Sequence, residues 1–277
     1  NRAMSLTELQ QLARAGGALI RHRHLEIVGR SNFRDEEAVL ATLAELHETG
    51  IVDYLDEGTE RLYAISPDQH HNAAYYRNTA IQHFILDAFV EIALLDAAAA
   101  DDPVEAFFWR TGELRELFKF EFYLPRRDNY QAEIDQRAYD RFGKWEEAVQ
   151  DDKTALLNSV PLLVAHGVLR SFVEAYRVVA SVLVDRGDVA VEDKGALLSQ
   201  CLKTGKQQLL QGRIVSAESI SKTLYENGLR LAEYRGLLSA YHSAERRDFH
   251  EELTRINKRL GEILAITLAK AEETNSR

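Results

Sequence analysis

His83, Asp87 and Glu91 stand four residues apart, so on a helix they form one line of side chains with the donor types to share a metal ion or pass a proton. Ile81, Phe84, Ile85, Ala88, Ile92 and Leu95 fall on the opposite side of the same projection. That places the line on the solvated face and favours ordinary surface charge over a ligand set. Arg77 projects into the apolar arc, where a guanidinium needs a carboxylate or several carbonyls to offset its desolvation. Arg77 is therefore expected largely buried in a structural ion pair, with contact to a phosphate-bearing ligand as the alternative.

Other signatures fail on inspection. Thr204-Gly205-Lys206 resembles the end of a phosphate-binding loop, but Gln200 stands where the loop's first glycine belongs and Gln207 where its hydroxyl belongs. The nucleophile-elbow pattern G-x-S-x-G is absent. Cys201, flanked by Leu198 and Leu202, reads as a small core hydrophobe, and a lone cysteine excludes an intrachain disulfide and a cysteine-built metal site. Neither a metal nor a cofactor is expected. Two basic clusters, Arg21-His22-Arg23-His24 and Arg126-Arg127, read first as solvated loop charge. The alternatives are lipid headgroups for either, or duplex DNA for the first.

The elements that must position these residues are helical for most of the chain. Ser5 and Glu8 make a capping-box pattern, with Gly16-Gly17 expected to close that short helix. The run 25–28 reads as a strand, 36–49 as a helix with Gly50 at its left-handed end, and 51–55 with 61–65 as a hairpin. Helix, helix and hairpin give a winged-helix-like portion over 1–65. From Ser66 onward the signals are helical only, with starts at Ser66-Pro67, Asp102-Pro103, Asp128 and Ser159, and further helices over 191–211, 217–227 and 244–272. The last carries Phe249, Leu253, Ile256, Leu260 and Ile263 as one stripe, read as packing within the chain before docking of a partner. The fold class is mainly α: a multi-helix bundle over 66–277 with a small N-terminal sheet confined to residues before Ser66.

Composition sets limits. The chain is 45% hydrophobic and 28% charged, which suits a folded globular protein. Its 34 Lys and Arg against 44 Asp and Glu give a net charge of -10, which opposes general attraction to nucleic acid or anionic lipid. The apolar stretch 80–100 is broken by Asp87, Glu91 and Asp96, so it reads as a buried helix of a soluble protein and not as a membrane span. No signal peptide is visible, a reducing compartment is the default, and an opening Asn in place of Met gives the expectation that sequence is missing upstream.

Four segments in order resemble the PlsB-type glycerol-3-phosphate acyltransferases: RLYAISPDQH with AYYRNTAIQHF (61–84), FKFEFYLPRRDNY (118–130), FVEAYRVVASVL (172–183) and SAESISKTLYENGLRLA (216–232). The resemblance runs from Glu36 to the C-terminus and is weaker before it. Catalysis in that family rests on an upstream His-x-x-x-x-Asp motif, and none of the nine histidines here has an Asp five positions later. No catalytic residue carries over.

The resemblance implies a noncatalytic C-terminal helical domain of a membrane-associated transferase of phospholipid biosynthesis, placed at the cytoplasmic face of the membrane. Its parent would acylate glycerol 3-phosphate from acyl-CoA or acyl-carrier protein, through an upstream acyltransferase domain that this chain packs against. Tyr76, Arg77, Asn78, His83, Arg126 and Arg127 are the candidate structural or domain-contact residues, with peripheral membrane contact implied and no nucleic acid. A winged-helix transcription regulator with a helical effector domain is the alternative, opposed by the acidity and by Glu36-Glu37 at the would-be recognition helix. A self-standing helical scaffold is a third.

Overall fold

Sequence-local signals start several helices where expected. The computed structural model describes residues 3–26 and 34–275, with the backbone alone at 67, 153, 154 and 271–275. The chain divides into two compact units, one of residues 1–80 with 269–277, the other of residues 81–268. Among the described residues, no helix is long and apolar enough to cross a membrane.

In the first unit, strand β1 (Met4–Ser5) leads into α1 (Leu6–His22), followed by α2 (Glu36–Glu48), β2 (Val52–Leu55) and β3 (Leu62–Ile65). The three strands form an antiparallel sheet in the order β1-β3-β2, with Tyr54 opposite Tyr63. The Ser5 hydroxyl accepts from the Glu8 amide at 3.3 Å while the Glu8 carboxylate accepts from the Ser5 amide at 2.9 Å, completing the capping box. Helix α1 nevertheless runs through Gly16 and Gly17 to His22. Gly50 takes the left-handed φ of 73° that ends α2. The strand expected over 25–28 is not formed at Leu25 and Glu26, and its other residues lie outside the described ones. Among the described residues all strands precede Ser66. A short 3-10 turn (Pro67–Gln69) then leads into α3 (His70–Ile81).

The second unit contains α4 (Ile85–Ala97), α5 (Pro103–Phe118), α6 (Arg127–Phe142), α7 (Trp145–Asp151), α8 (Lys153–Asn158), α9 (Ala165–Asp185), α10 (Lys194–Leu210), a 3-10 turn (Ala217–Ser219), α11 (Lys222–Tyr234) and most of α12 (Ser243–Asn275). Asp102 caps α5 through the Glu105 amide at 2.9 Å, the Pro103 start working as its sequence suggests. Helices α4 and α9 are almost wholly buried and form the centre of the bundle. Phe118 joins that core by ring contacts to Phe89, Tyr176 and Phe122, the last of which meets Phe172. Phe249, Leu253, Ile256, Leu260 and Ile263 are all buried, so the stripe of α12 packs within the chain. Glycines mark the tight crossings: a Cβ on Gly205 would lie 2.1 Å from the Tyr225 hydroxyl, so α10 and α11 approach closely only because that side chain is missing.

Three residues, Gln82 to Phe84, separate α3 from α4. One continuous helix through 77–91 was the premise of the projection, and this break removes it.

Candidate functional site

The line His83, Asp87, Glu91 is the first casualty of that break. His83 is exposed in the turn, whereas Asp87 and Glu91 are both 0% exposed on α4, inside the bundle and not on a solvated face. Glu91 is fully engaged there. Its carboxylate accepts from the amides of Val164 and Ala165 at 2.7–3.0 Å and from Arg141 Nη1 at 2.8 Å, while Arg141 Nη2 donates to Leu162 O at 2.9 Å. A residue 73 positions upstream thus caps the N-terminus of α9, placing negative charge against the positive end of the helix dipole. That is why α9 starts at Ala165 and not at the expected Ser159. With its oxygens so occupied, Glu91 has a structural task and no free valence for a metal. Among the described residues no group of three His, Cys, Asp or Glu is placed to hold one.

Arg77 is half-buried, not largely buried, and its Nη2 donates to Asn78 Oδ1 at 3.1 Å. Tyr76 and Asn78 are exposed beside it. The environment expected at Arg77 exists at Arg246, which is 0% exposed and donates to the carbonyls of Leu237, Gly187, Val189 and Ser239 at 2.6–3.0 Å. It fastens the loops before α10 and α12 to each other. Cys201 is buried and its thiol pushed up to about 12 by that burial, as expected of an inert core cysteine.

The remaining candidates converge on the loop between α5 and α6. Gln82 holds it by two bonds to the Tyr123 backbone, donating to the carbonyl at 2.5 Å and accepting from the amide at 3.1 Å. His83 is next in sequence to that clamp. Arg115 Nη2 donates to Pro125 O at 3.1 Å, and within the loop Glu121 accepts from the Tyr176 hydroxyl at 3.0 Å and from Asn227 at 3.1 Å. Burial raises the Glu121 carboxyl above its ordinary range against the lowering effect of those two bonds.

A loop so pinned presents a defined outer surface. Arg126 and Arg127 are exposed at the start of α6, with Arg127 Nη2 at 2.9 Å from Glu116, which also binds Lys119 at 2.9 Å. Lys119 Nζ sits 3.2 Å from the centre of the Tyr234 ring, and the Arg230 guanidinium lies 4.6 Å from that of Phe120. Tyr123 and Tyr234 are exposed beside them. The result is a patch of interleaved cations and aromatic faces in a chain whose net charge is -10. Such a surface suits an anionic, partly apolar partner.

Of the patch and the clamp beside it, the residue pattern singled out Arg126 and Arg127, with His83 adjacent in sequence to the clamp. It missed Gln82, Lys119, Phe120, Arg230 and Tyr234. The aromatic-basic alternation of FKFEFYLPRR was the available signal for two of these, while Arg230 and Tyr234 arrive from a helix more than 100 positions away.

The family model for the glycerol-3-phosphate acyltransferase C-terminal region matches residues 1–241. Relatives named putative acyltransferase plsB1, from Mycobacterium bovis and from two strains of Mycobacterium tuberculosis, are each 32% identical over 274 residues. These alignments cover 95% of this chain and 44% of the relative's length, so the chain spans less than half of each protein it matches. The match begins at residue 1, which extends the likeness through the segment before Glu36.

Proposed function

Since this chain belongs to the glycerol-3-phosphate acyltransferase C-terminal region family, we propose that it is the noncatalytic helical portion of a membrane-associated enzyme that acylates glycerol 3-phosphate. In this reading acyl-CoA or acyl-carrier protein supplies the acyl group, and the base that deprotonates the acceptor hydroxyl belongs to an upstream domain. The observation that carries it is the joint one: a family match over most of the chain, together with nine histidines none of which has the Asp five positions later. The basic-aromatic patch around Arg126, Arg127, Lys119 and Tyr234 is the surface best suited to meet that domain or the membrane beside it. Tyr76 and Asn78, exposed in the first compact unit, and the half-buried Arg77 between them stay as contact candidates. Residues 1–65 would form the winged-helix-like portion and 66–277 the helical one. A transcription regulator is not supported, because the acyltransferase match covers the N-terminal helices and hairpin as well.

Reconstitution tests the reading. The purified chain should give no labelled lysophosphatidic acid from glycerol 3-phosphate and acyl-CoA, while the same chain joined to its upstream segment should turn over. Turnover by the chain alone, above a control free of host acyltransferase, would overturn it.

A further inference from the structure

Helix α9 is buried along most of its length, but His166, Arg170 and Arg177 lie half-buried on one remaining stripe. Helix α12 runs beside this stripe: Arg170 Nη2 donates to Leu260 O at 3.3 Å, and His250 is close enough to Arg177 to feel its charge. Asn257 falls between Leu260 and His250 on α12, two turns from the latter.

The polar accounting here is incomplete. Arg177 Nε, His166 Nδ1 and Asn257 Oδ1 are each buried without a hydrogen-bond partner among the described residues. Arg110, Arg115 and Arg186 also bury an Nε without a hydrogen-bond partner, but each donates through a terminal nitrogen, as do Arg246 and Arg141, whereas among the described residues Arg177 makes no such bond and the nearby Glu174 is its counter-charge. Glu174 is itself committed, its two oxygens accepting from the amides of Val215 and Ser216 at 3.1 and 2.9 Å. A desolvated guanidinium with unused donors is costly unless something supplies acceptors.

We propose that the stripe of α9 between α12 and the segment 214–219 is a binding groove for a phosphate-bearing ligand, held by Arg177 and Arg170 with His250 and His166 at its ends. The class follows from donor count and charge. Arg177 and Arg170, two turns apart on one stripe, together offer more N–H groups than one carboxylate can accept, and a phosphate monoester brings three acceptor oxygens with nearly two negative charges. The recessed position favours a soluble phosphate over the headgroup plane of a bilayer. Burial lowers both histidines from their ordinary value, His166 with Glu91 and Arg170 around it and His250 with Arg177, Glu251 and Asp185. A dianion seated on Arg177 opposes that effect at the neighbouring His250 and draws a proton onto its ring. The groove is separate from the basic-aromatic patch, and the proposal does not depend on the acyl-transfer reading.

Histidine ring resonances of the whole chain, titrated with inorganic phosphate, test it. Saturable shifts at His250 are expected, with its pKa rising when phosphate is present and affinity falling at least about tenfold in Arg177→Gln. Arg170→Gln serves as the second variant if Arg177→Gln fails to fold, with the same expected loss. Two further probes assign the source: vesicles of phosphatidylcholine with phosphatidic acid, and a soluble peptide of alternating Glu and Ala. Phosphate binding unaffected by either substitution overturns the groove. Absence of any shift with phosphate, or tighter binding of the vesicles or the acidic peptide than of phosphate, overturns the soluble-phosphate class.

Discussion

Arg127 and Arg141 belong to the same helix, α6, and both pair with a glutamate, yet their surroundings set them to opposite tasks. The Arg127 side chain is 73% exposed and meets Glu116, itself partly solvated. The Arg141 side chain is 3% exposed and meets Glu91, which is 0% exposed and also holds two amides of α9. Water can replace either partner of the first pair at little cost, whereas loss of one member of the second leaves a buried charge with nothing to answer it. A salt bridge at the rim is therefore available for recognition, and one in the core organises the fold.

The largest effect expected of this contrast is at Glu91. Glu91→Ala strands Arg141 and uncaps α9 at once, and should lower unfolding free energy by about 3 to 5 kcal/mol, the typical cost of breaking a buried pair. Urea denaturation followed by circular dichroism measures it. A loss under about 1 kcal/mol would erase the distinction between the two ends of α6, since it would mean that solvent reaches Arg141 as easily as an exposed side chain.

A smaller interior effect is expected without any charge. Gly205→Ala places a methyl against the buried Tyr225 ring, where the hydroxyl would be 2.1 Å away, and overpacking of this kind typically costs about 1 to 3 kcal/mol. A lower melting temperature with unchanged helical content is the expected readout. An unchanged melting temperature would show that α10 and α11 can separate freely, and that the interior is less exacting than the Glu91 cluster implies.

What could be read from residues alone follows the range of the interactions involved. The Ser5 and Glu8 box, the Asp102 cap and the Gly50 terminus are each encoded within about one helical turn, and the α12 stripe within the period of a single helix, and they formed as expected. The turn at Gln82 to Phe84 has neither Gly nor Pro to announce it, so the projection carried straight through and misplaced both Arg77 and the Asp87–Glu91 line. The cap of α9 comes from another helix, 73 positions away, and the carbonyl cage of Arg246 is built from two loops. Neither leaves a local pattern. The basic-aromatic patch was half legible for the same reason: its loop carries Arg126 and Arg127 in sequence, and its other wall is supplied by α11.

The smallest change in stability should come from the outer end of α6. Arg127 is solvated and contributes one bond to Glu116, which keeps Arg115 and Lys119 as partners, so Arg127→Ala should leave the denaturation midpoint where it was. Its consequence belongs to recognition instead. Removing one cation from a patch shared with Lys119, Arg126 and Arg230 weakens attraction to an anionic partner in a salt-dependent way, chiefly by slowing encounter. In the isolated chain, Arg126→Ala with Arg127→Ala should reduce association with anionic vesicles, or with the proposed acyltransferase domain supplied as a separate protein, at low ionic strength, the difference fading as salt is added. The same double substitution tested for denaturation in the isolated chain completes the contrast. A lowered midpoint with partner association intact would make Arg127 a structural residue like Arg141, and would remove the patch as the proposed recognition surface.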